Sequence, residues 1–329
     1  MKIAMRIALA AGFAVLVALI VRGGAGSILA LLALAGWQAL WLVPLHAVPL
    51  ALDILGWRAL IPGGAPLSSL FGIAAVREAI NRLLPVANIG GEVVGVRLLA
   101  LTGVDGGVAA ASVIVEVLVT LGSQFLFVAA GVAALVHLAA ATALTDSLLW
   151  GLACTLPIIA FLAAMLRSGR AVGLLQRLAQ KILGPAYLNS GVHQDGAALD
   201  VRIRALCRSH GRLATALAWQ IAGLVMGCVE TWLVLGWLGH PMGFAAALAL
   251  ESLAQAARHF VFMVPAGVGV QEAGLVVVGH VLGLGSDVAL ALSLAKRMRE
   301  VLFGVPALVG WQWFEGRRGY LHVRSRSER

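Results

Sequence analysis

The chain carries the same interruption twice. Pro85 is followed by Gly90-Gly91-Glu92, and Pro265 by Gly267, Gly269 and Glu272, so that in both copies a glutamate stands seven positions after a proline. Arg77 and Arg258 precede the copies, and an Asp-led apolar segment with a second glutamate follows each: Asp105 with Glu116, then Asp287 with Glu300. Proline lacks the amide proton that a helix needs, and glycine accepts positive φ. Each interruption therefore splits an apolar helix. Paired interruptions of this kind, at corresponding positions of two halves, point to a binding site near the bilayer midplane.

Composition fixes the solvent in which this happens. Hydrophobic residues make up 61% and charged ones 12%, with a mean hydropathy of +0.96; soluble domains average roughly 45–50% and about 25%. The expectation is an all-α polytopic membrane protein. The largest polar interval, 167–212, falls short of the ~50 residues of a small soluble domain, so residues 1–329 read as a single integral membrane domain. The net charge of +9 comes from basic residues beside the apolar spans and on the tail, including Arg317, Arg318, Arg324 and Arg326. That placement fits anionic lipid headgroups rather than nucleic acid.

Stretches of ~20 apolar residues predict crossings near Met5–Val21, Ile28–Leu52, Gly107–Leu135, Leu148–Leu166, Leu213–Leu238 and Val288–Trp311. The first run has the Lys2 and Arg6 flank of a signal peptide but lacks its small-residue exit, and reads as a retained span. Leu67–Leu84 with Gly90–Leu101, and Phe244–Val264 with Ala273–Leu284, are each broken in the middle. Irregular backbone at membrane depth survives only when buried in protein or lining a watery cavity, so both are expected to be broken or re-entrant pairs. The expected fold is thus about six full transmembrane helices plus two such pairs, with repeat 1 at about 67–138 and repeat 2 at about 244–316.

Eight basic residues in 167–212 stand against Asp195 and Asp200, which places that loop and both termini in the cytoplasm by the positive-inside rule. The repeats are then inverted in a bacterial inner membrane.

Ionisable residues inside apolar helices cost about 2.5–3.5 kcal/mol each at a lipid-facing centre and mark function by default. The densest set is Lys296, Arg297, Arg299 and Glu300. At ~100° per residue Lys296, Arg299 and Glu300 share one face, with Arg297 at its border. They read as a headgroup-binding cluster or as an ion network joining the repeats. Ser112, Glu116, Thr120 and Ser123 form a second stripe, with Glu116 read as the counterpart of Glu300 and either substrate contact or interhelical hydrogen bonding as its role. Glu92 and Glu272 are first-turn caps, or proton carriers, or partners of Arg77, Arg82, Arg97 and Arg258. Pro85, Gly90, Gly91, Pro265, Gly267 and Gly269 shape the two loops. Glu230, with Thr231, Gln220, Gly223 and Gly227, is a weaker candidate, as is His259. Cys154, Cys207 and Cys228 have no ligand or disulfide spacing and read as small buried hydrophobes. No metal, cofactor, phosphate-binding loop or nucleophilic triad is indicated.

The segments Asn81-Arg82-Leu83-Leu84-Pro85 with Gly90-Gly91-Glu92, and Val264-Pro265-Ala266-Gly267-Val268-Gly269-Val270-Gln271-Glu272-Ala273, resemble the transmembrane region of bacterial lysylphosphatidylglycerol synthases and its stand-alone relatives, including the HpnL-type hopanoid-associated membrane proteins. The resemblance implies a lipid-translocating module rather than an enzyme, acting on a polar-headed, anionic lipid connected to hopanoid or aminoacylated-lipid metabolism. A membrane-embedded partner or scaffold of a lipid- or glycan-modifying enzyme is the alternative.

The topology is testable. In a chain freed of its native cysteines, Gly191→Cys and Ser325→Cys should both be shielded from an impermeant thiol reagent in intact cells. Labelling of the former from outside overturns the inverted arrangement.

Overall fold

The computed structural model describes residues 21, 24–84, 90–139, 143–168, 196–260 and 269–327, and among them no strand occurs. Met5–Val21 lies almost wholly outside these residues. Helix α1 (Ala25–Ala35) runs through a 3₁₀ turn (Gly36–Trp41) into α2 (Leu42–Leu60). α3 (Leu67–Leu83), α4 (Gly90–Leu101) and α5 (Gly106–Leu138) follow. Next come α6 (Ala143–Ser168), α7 (Gly196–Arg208) and α8 (His210–Trp237). The chain closes with α9 (Phe244–Phe260), α10 (Val270–Val281) and α11 (Ser286–Ser327).

Four of these stretches are long and apolar enough to cross a membrane: Gly26–Leu60, Gly106–Leu138, Asp146–Ser168 and His210–Trp237. They extend the expected spans. Ile28–Leu52 continues to Leu60 within α2, which accommodates Pro49, and Val288–Trp311 lies within the 42-residue α11.

The broken pairs fold as antiparallel hairpins. The amide of Gly91 donates to Asn81 Oδ1 at 2.9 Å, and the small faces of Gly91 and Gly95 lie directly on Arg77. In the second pair Gly274 rests on Ala257 and Ala254. The half-helices have matching lengths, 17 and 12 residues in both copies. At ~1.5 Å per residue the shorter ones reach ~18 Å, well short of the ~30 Å hydrocarbon core. The linking residues 85–89 and 261–268, with Pro85, Pro265 and Gly267, lie outside the described residues.

The copies align more tightly than the sequence reading allowed. α4 and α10 begin 180 residues apart, as do α5 and α11 (90 to 270, 106 to 286). The positive-φ glycines Gly103 and Gly283 that turn one helix into the next keep the same spacing. Glu116 is the eleventh residue of α5, and the eleventh of α11 is Lys296, not Glu300. Asp105 caps α5 from outside, accepting from the Gly107 and Val108 amides, whereas Asp287 lies inside α11. Counting from the aspartates therefore misaligns the copies. The Val108 amide, with Arg202 and the Gly107 amide, holds the exposed Asp105 carboxyl below the usual range.

Small residues bring α2 and α8 together. Gly56 faces the Ala216 carbonyl, and Gly223 lies against Pro49 and Asp53, which is how membrane helices approach without a hydrophobic drive between them. One apolar core joins Ala39 and Leu42 to Leu250, Leu275 and residues 288–295 of α11. Another joins Trp57, Leu70, Ile80 and Leu99, with Phe303 to Trp311 of α11 packed against it. Cys207 and Cys228 are buried as expected, while Cys154 is exposed on α6.

A methyl group on Gly91 would lie 2.4 Å from the Arg77 carbonyl oxygen, whereas one on Gly72 would meet nothing within 4 Å. Gly91→Ala should lower the melting temperature in detergent through a loss of about 1–3 kcal/mol. Gly72→Ala should be neutral or mildly stabilising, and equal melting of the two variants would contradict the hairpin packing.

Candidate functional site

α11 positions the site by carrying both cores. Residues 288–295 pack into one and Phe303 to Trp311 against the other, and the charged stretch 296–300 lies between them. Lys296, Arg299 and Glu300 are buried, with Arg297 partly so, which is the shared face that helical spacing predicts. Gly304 then lets α11 touch Leu83 and Ala79 of α3.

Glu300 is the hub. Its Oε1 accepts from Arg82 at 3.1 Å and from Arg258 at 3.4 Å, and its Oε2 from Arg297 at 3.4 Å. One carboxylate thus gathers guanidinium groups from α3, α9 and its own helix. Arg258 also donates to Gln271 at 3.3 Å. Glu272, fully buried, accepts from the Gly269 amide at 2.7 Å, from Ser293 at 3.2 Å and from Arg297 Nε at 3.0 Å. Capping and ion pairing, posed as alternatives from the sequence, are therefore combined in one side chain. Gly269 makes this possible with φ of 81°.

The network continues into residues that sequence reasoning ranked low or passed over. Arg299 pairs with Glu230, which accepts from or donates to His46 Nδ1 across 3.3 Å. His46 Nε2 lies 3.0 Å from Glu78, and Glu78 lies 3.7 Å from Arg82 Nε. Arg82, Arg258, Arg297 and Arg299 thus stand against Glu78, Glu230, Glu272 and Glu300, with His46 inserted between two of the carboxylates. The set is balanced in charge rather than a bare cationic patch.

Two satellites flank it. Arg77 lies between Glu92 and Glu116, the latter at 2.9 Å, and stacks on Trp57 with 4.5 Å to the ring centre. In the other copy Lys296 pairs with Glu251, which also accepts from Thr231 at 2.5 Å and Gln255 at 2.8 Å. Positions 116 and 296 are equivalent, so the two copies make the same kind of link, third helix to first half-helix, with the signs exchanged. The rest of the polar stripe on α5 is interhelical: Ser112 accepts from Trp57 at 3.2 Å, and Gln220 bridges Ser123 and Thr120 at 3.2 and 2.9 Å. Arg97 lies apart, on Glu315 at 2.9 Å. The His259 side chain is outside the described residues.

His46, Glu78 and Glu251 were missed as site residues. The signal was available, since each is an ionisable side chain in an apolar helix, but no local motif accompanies them. Among the described residues no group of His, Cys, Asp or Glu is arranged to hold a metal. Two cavities lie away from the network, one of about 300 Å³ lined by Val108, Arg202 and Arg212, the other of about 670 Å³ against Val132, His137 and Leu149.

Residues 3–310 match the family described as the lysylphosphatidylglycerol synthase TM region. The chain belongs to that family. No curated protein and no solved structure matches it.

Breaking a buried pair from one side costs about 3–5 kcal/mol, whereas replacing both partners by apolar groups is often neutral. Lys296→Met should therefore strongly reduce the yield of folded protein, and Lys296→Met combined with Glu251→Leu should recover most of it in size-exclusion profiles. Failure of the double variant to recover would assign Lys296 a role beyond its partner.

Proposed function

We propose that this protein moves a polar-headed, anionic lipid across the bacterial inner membrane, with its two hairpins entering from opposite faces and both termini in the cytoplasm. Family membership supports a role tied to lipid modification or transport, and the half-helices too short to cross support the re-entrant arrangement. The observation that carries the reading is Glu300 with Arg82, Arg258 and Arg297 around it. Guanidinium groups bind phosphate bidentately and more strongly than isolated neutral donors do. An entering headgroup phosphate competes with Glu300 for the three arginines, and the carboxylate reclaims them when the lipid leaves. The acyl or polycyclic tail stays in the bilayer throughout.

On this reading the internal carboxylate prevents the phosphate from binding too tightly to be released. The chain carries out no bond-making step itself. The lipid would be supplied by a separate biosynthetic enzyme of hopanoid or aminoacylated-lipid metabolism, with the membrane lipids themselves as the direct partners.

Arg297→Gln should slow translocation of a fluorescent phosphatidylglycerol in reconstituted vesicles by about tenfold per molecule of folded, inserted protein, the equivalent of ~1.4 kcal/mol. Glu272→Gln should slow it as well, because Arg297 loses its second anchor. Wild-type rates equal to those of empty vesicles, for anionic and zwitterionic lipids alike, would favour the partner-enzyme reading instead.

A further inference from the structure

His46 differs from every ion pair around it. Its Nδ1 lies 3.3 Å from Glu230 Oε1, and its Nε2 3.0 Å from both oxygens of Glu78. A neutral imidazole has one N–H, and an ionised carboxylate accepts only. With a neutral ring and two carboxylates, one of these contacts would set lone pair against lone pair. The triad holds together only when its three groups share two protons, either as an imidazolium donating both ways or as a neutral ring beside one carboxylic acid. Burial removes the water that would otherwise screen the mismatch, since His46 is 9% exposed and packs edge-on against Phe303 with ring centres 5.2 Å apart.

The charged groups that face this ring come from every neighbouring helix: Glu78 and Arg82 of α3, Glu230 of α8, Arg299 and Glu300 of α11, and Asp53 on α2 itself. The four arginines and four glutamates of the network balance one another, so the second proton of the triad is a charge in excess of that balance.

A second observation supplies its route. Asp53 lies seven residues after His46 on α2, two helical turns along the same face, about 10 Å away. It is exposed, and no described residue hydrogen-bonds or ion-pairs with it. A carboxylate without such a partner inside an apolar helix faces the bundle interior or a water-filled cavity rather than lipid.

We infer that Glu78, His46 and Glu230 form a proton-binding site, filled from water through Asp53, that couples lipid movement to a proton gradient. This rests on the translocation reading. Loss of the proton to water breaks one His46 contact and leaves a carboxylate without its donor. If that carboxylate is Glu78, it turns to Arg82, which then loosens from Glu300 and frees the guanidinium cluster for a headgroup. Reprotonation restores the clasp and closes the cluster. The proton and the headgroup thus exclude one another through Arg82, which is the linkage a coupled carrier needs.

The test uses the full-length protein in vesicles of phosphatidylethanolamine and phosphatidylglycerol, with a fluorescent phosphatidylglycerol tracer and an imposed pH gradient. Wild type should move the tracer several-fold faster in one gradient direction and lose that difference when nigericin collapses the gradient. His46→Gln and Asp53→Asn should lose the response to the gradient. Wild-type rates indifferent to the gradient overturn the coupling. A readout independent of transport keeps the site itself falsifiable: as pH rises from about 5 to about 8, the range in which histidine changes charge, the melting temperature of wild type should fall relative to that of His46→Gln. Parallel melting profiles overturn the proton site. If His46→Gln does not fold, ring-nitrogen magnetic resonance of the wild type decides, since one histidine must stay doubly protonated, or paired with a protonated carboxyl, at neutral pH. Absence of tracer movement by wild type at every pH counts against the translocation reading alone, and the melting and resonance measurements still decide the proton site.

Discussion

Charge neutralisation without water is the constraint on which this architecture depends. Six basic side chains, Arg77, Arg82, Arg258, Lys296, Arg297 and Arg299, stand inside an apolar bundle, and each meets at least one glutamate. None of these pairs is a bargain for stability, because taking two charges out of water costs about as much as their attraction returns. They instead fix which helices must meet. Glu300 requires α3 and α9 to converge on α11, Glu230 requires α8, and His46 requires α2. The apolar cores fill the space on either side, and the ion network sets the register between them.

The hairpins follow from the same constraint. A continuous helix would carry Glu92 away from Arg77 along its axis, whereas a break returns the chain over itself so that Glu92 reaches Arg77, and in the second copy Glu272 reaches Arg297. Gly91 and Gly95 are required because Arg77 occupies the space a side chain would fill. In the second copy Gly274 plays that part against Ala257. The sequence interruption is thus a packing device as much as a loop.

Much of this was legible beforehand, for identifiable reasons. Membrane class, four of the six expected spans and the shared burial of Lys296, Arg299 and Glu300 follow from hydropathy and helical period, which are local properties. The broken pairs follow from proline and glycine, also local. The partners were not legible. His46 to Glu230 and Arg82 to Glu300 join residues 184 and 218 positions apart, and nothing in a single chain states which buried carboxylate meets which base. The same limit misplaced Glu116, which was paired with Glu300 as the glutamate of the corresponding helix, whereas the helix starts pair it with Lys296. Glu230 was undervalued for a related reason: its neighbours Gly223 and Gly227 announce close packing, while its charge partner Arg299 lies on another helix.

The sign exchange at positions 116 and 296 shows how the two copies became different in chemistry while staying alike in shape. In the first copy the third helix supplies the acid and the first half-helix the base; in the second the roles reverse, with Lys296 on α11 and Glu251 on α9. Either arrangement anchors a hairpin to its long helix equally well, so geometry alone does not favour one. The consequence is electrostatic. Placing the base on α11 adds Lys296 to a helix that already carries Arg297 and Arg299, and it leaves Glu300 as the acid among them, whereas α5 presents only Glu116. The arginines that gather around Glu300 come from both copies, Arg82 from the first and Arg258 from the second. On the translocation reading, an anion held there would touch both hairpins at once, and its arrival or departure would be felt by both halves of the bundle.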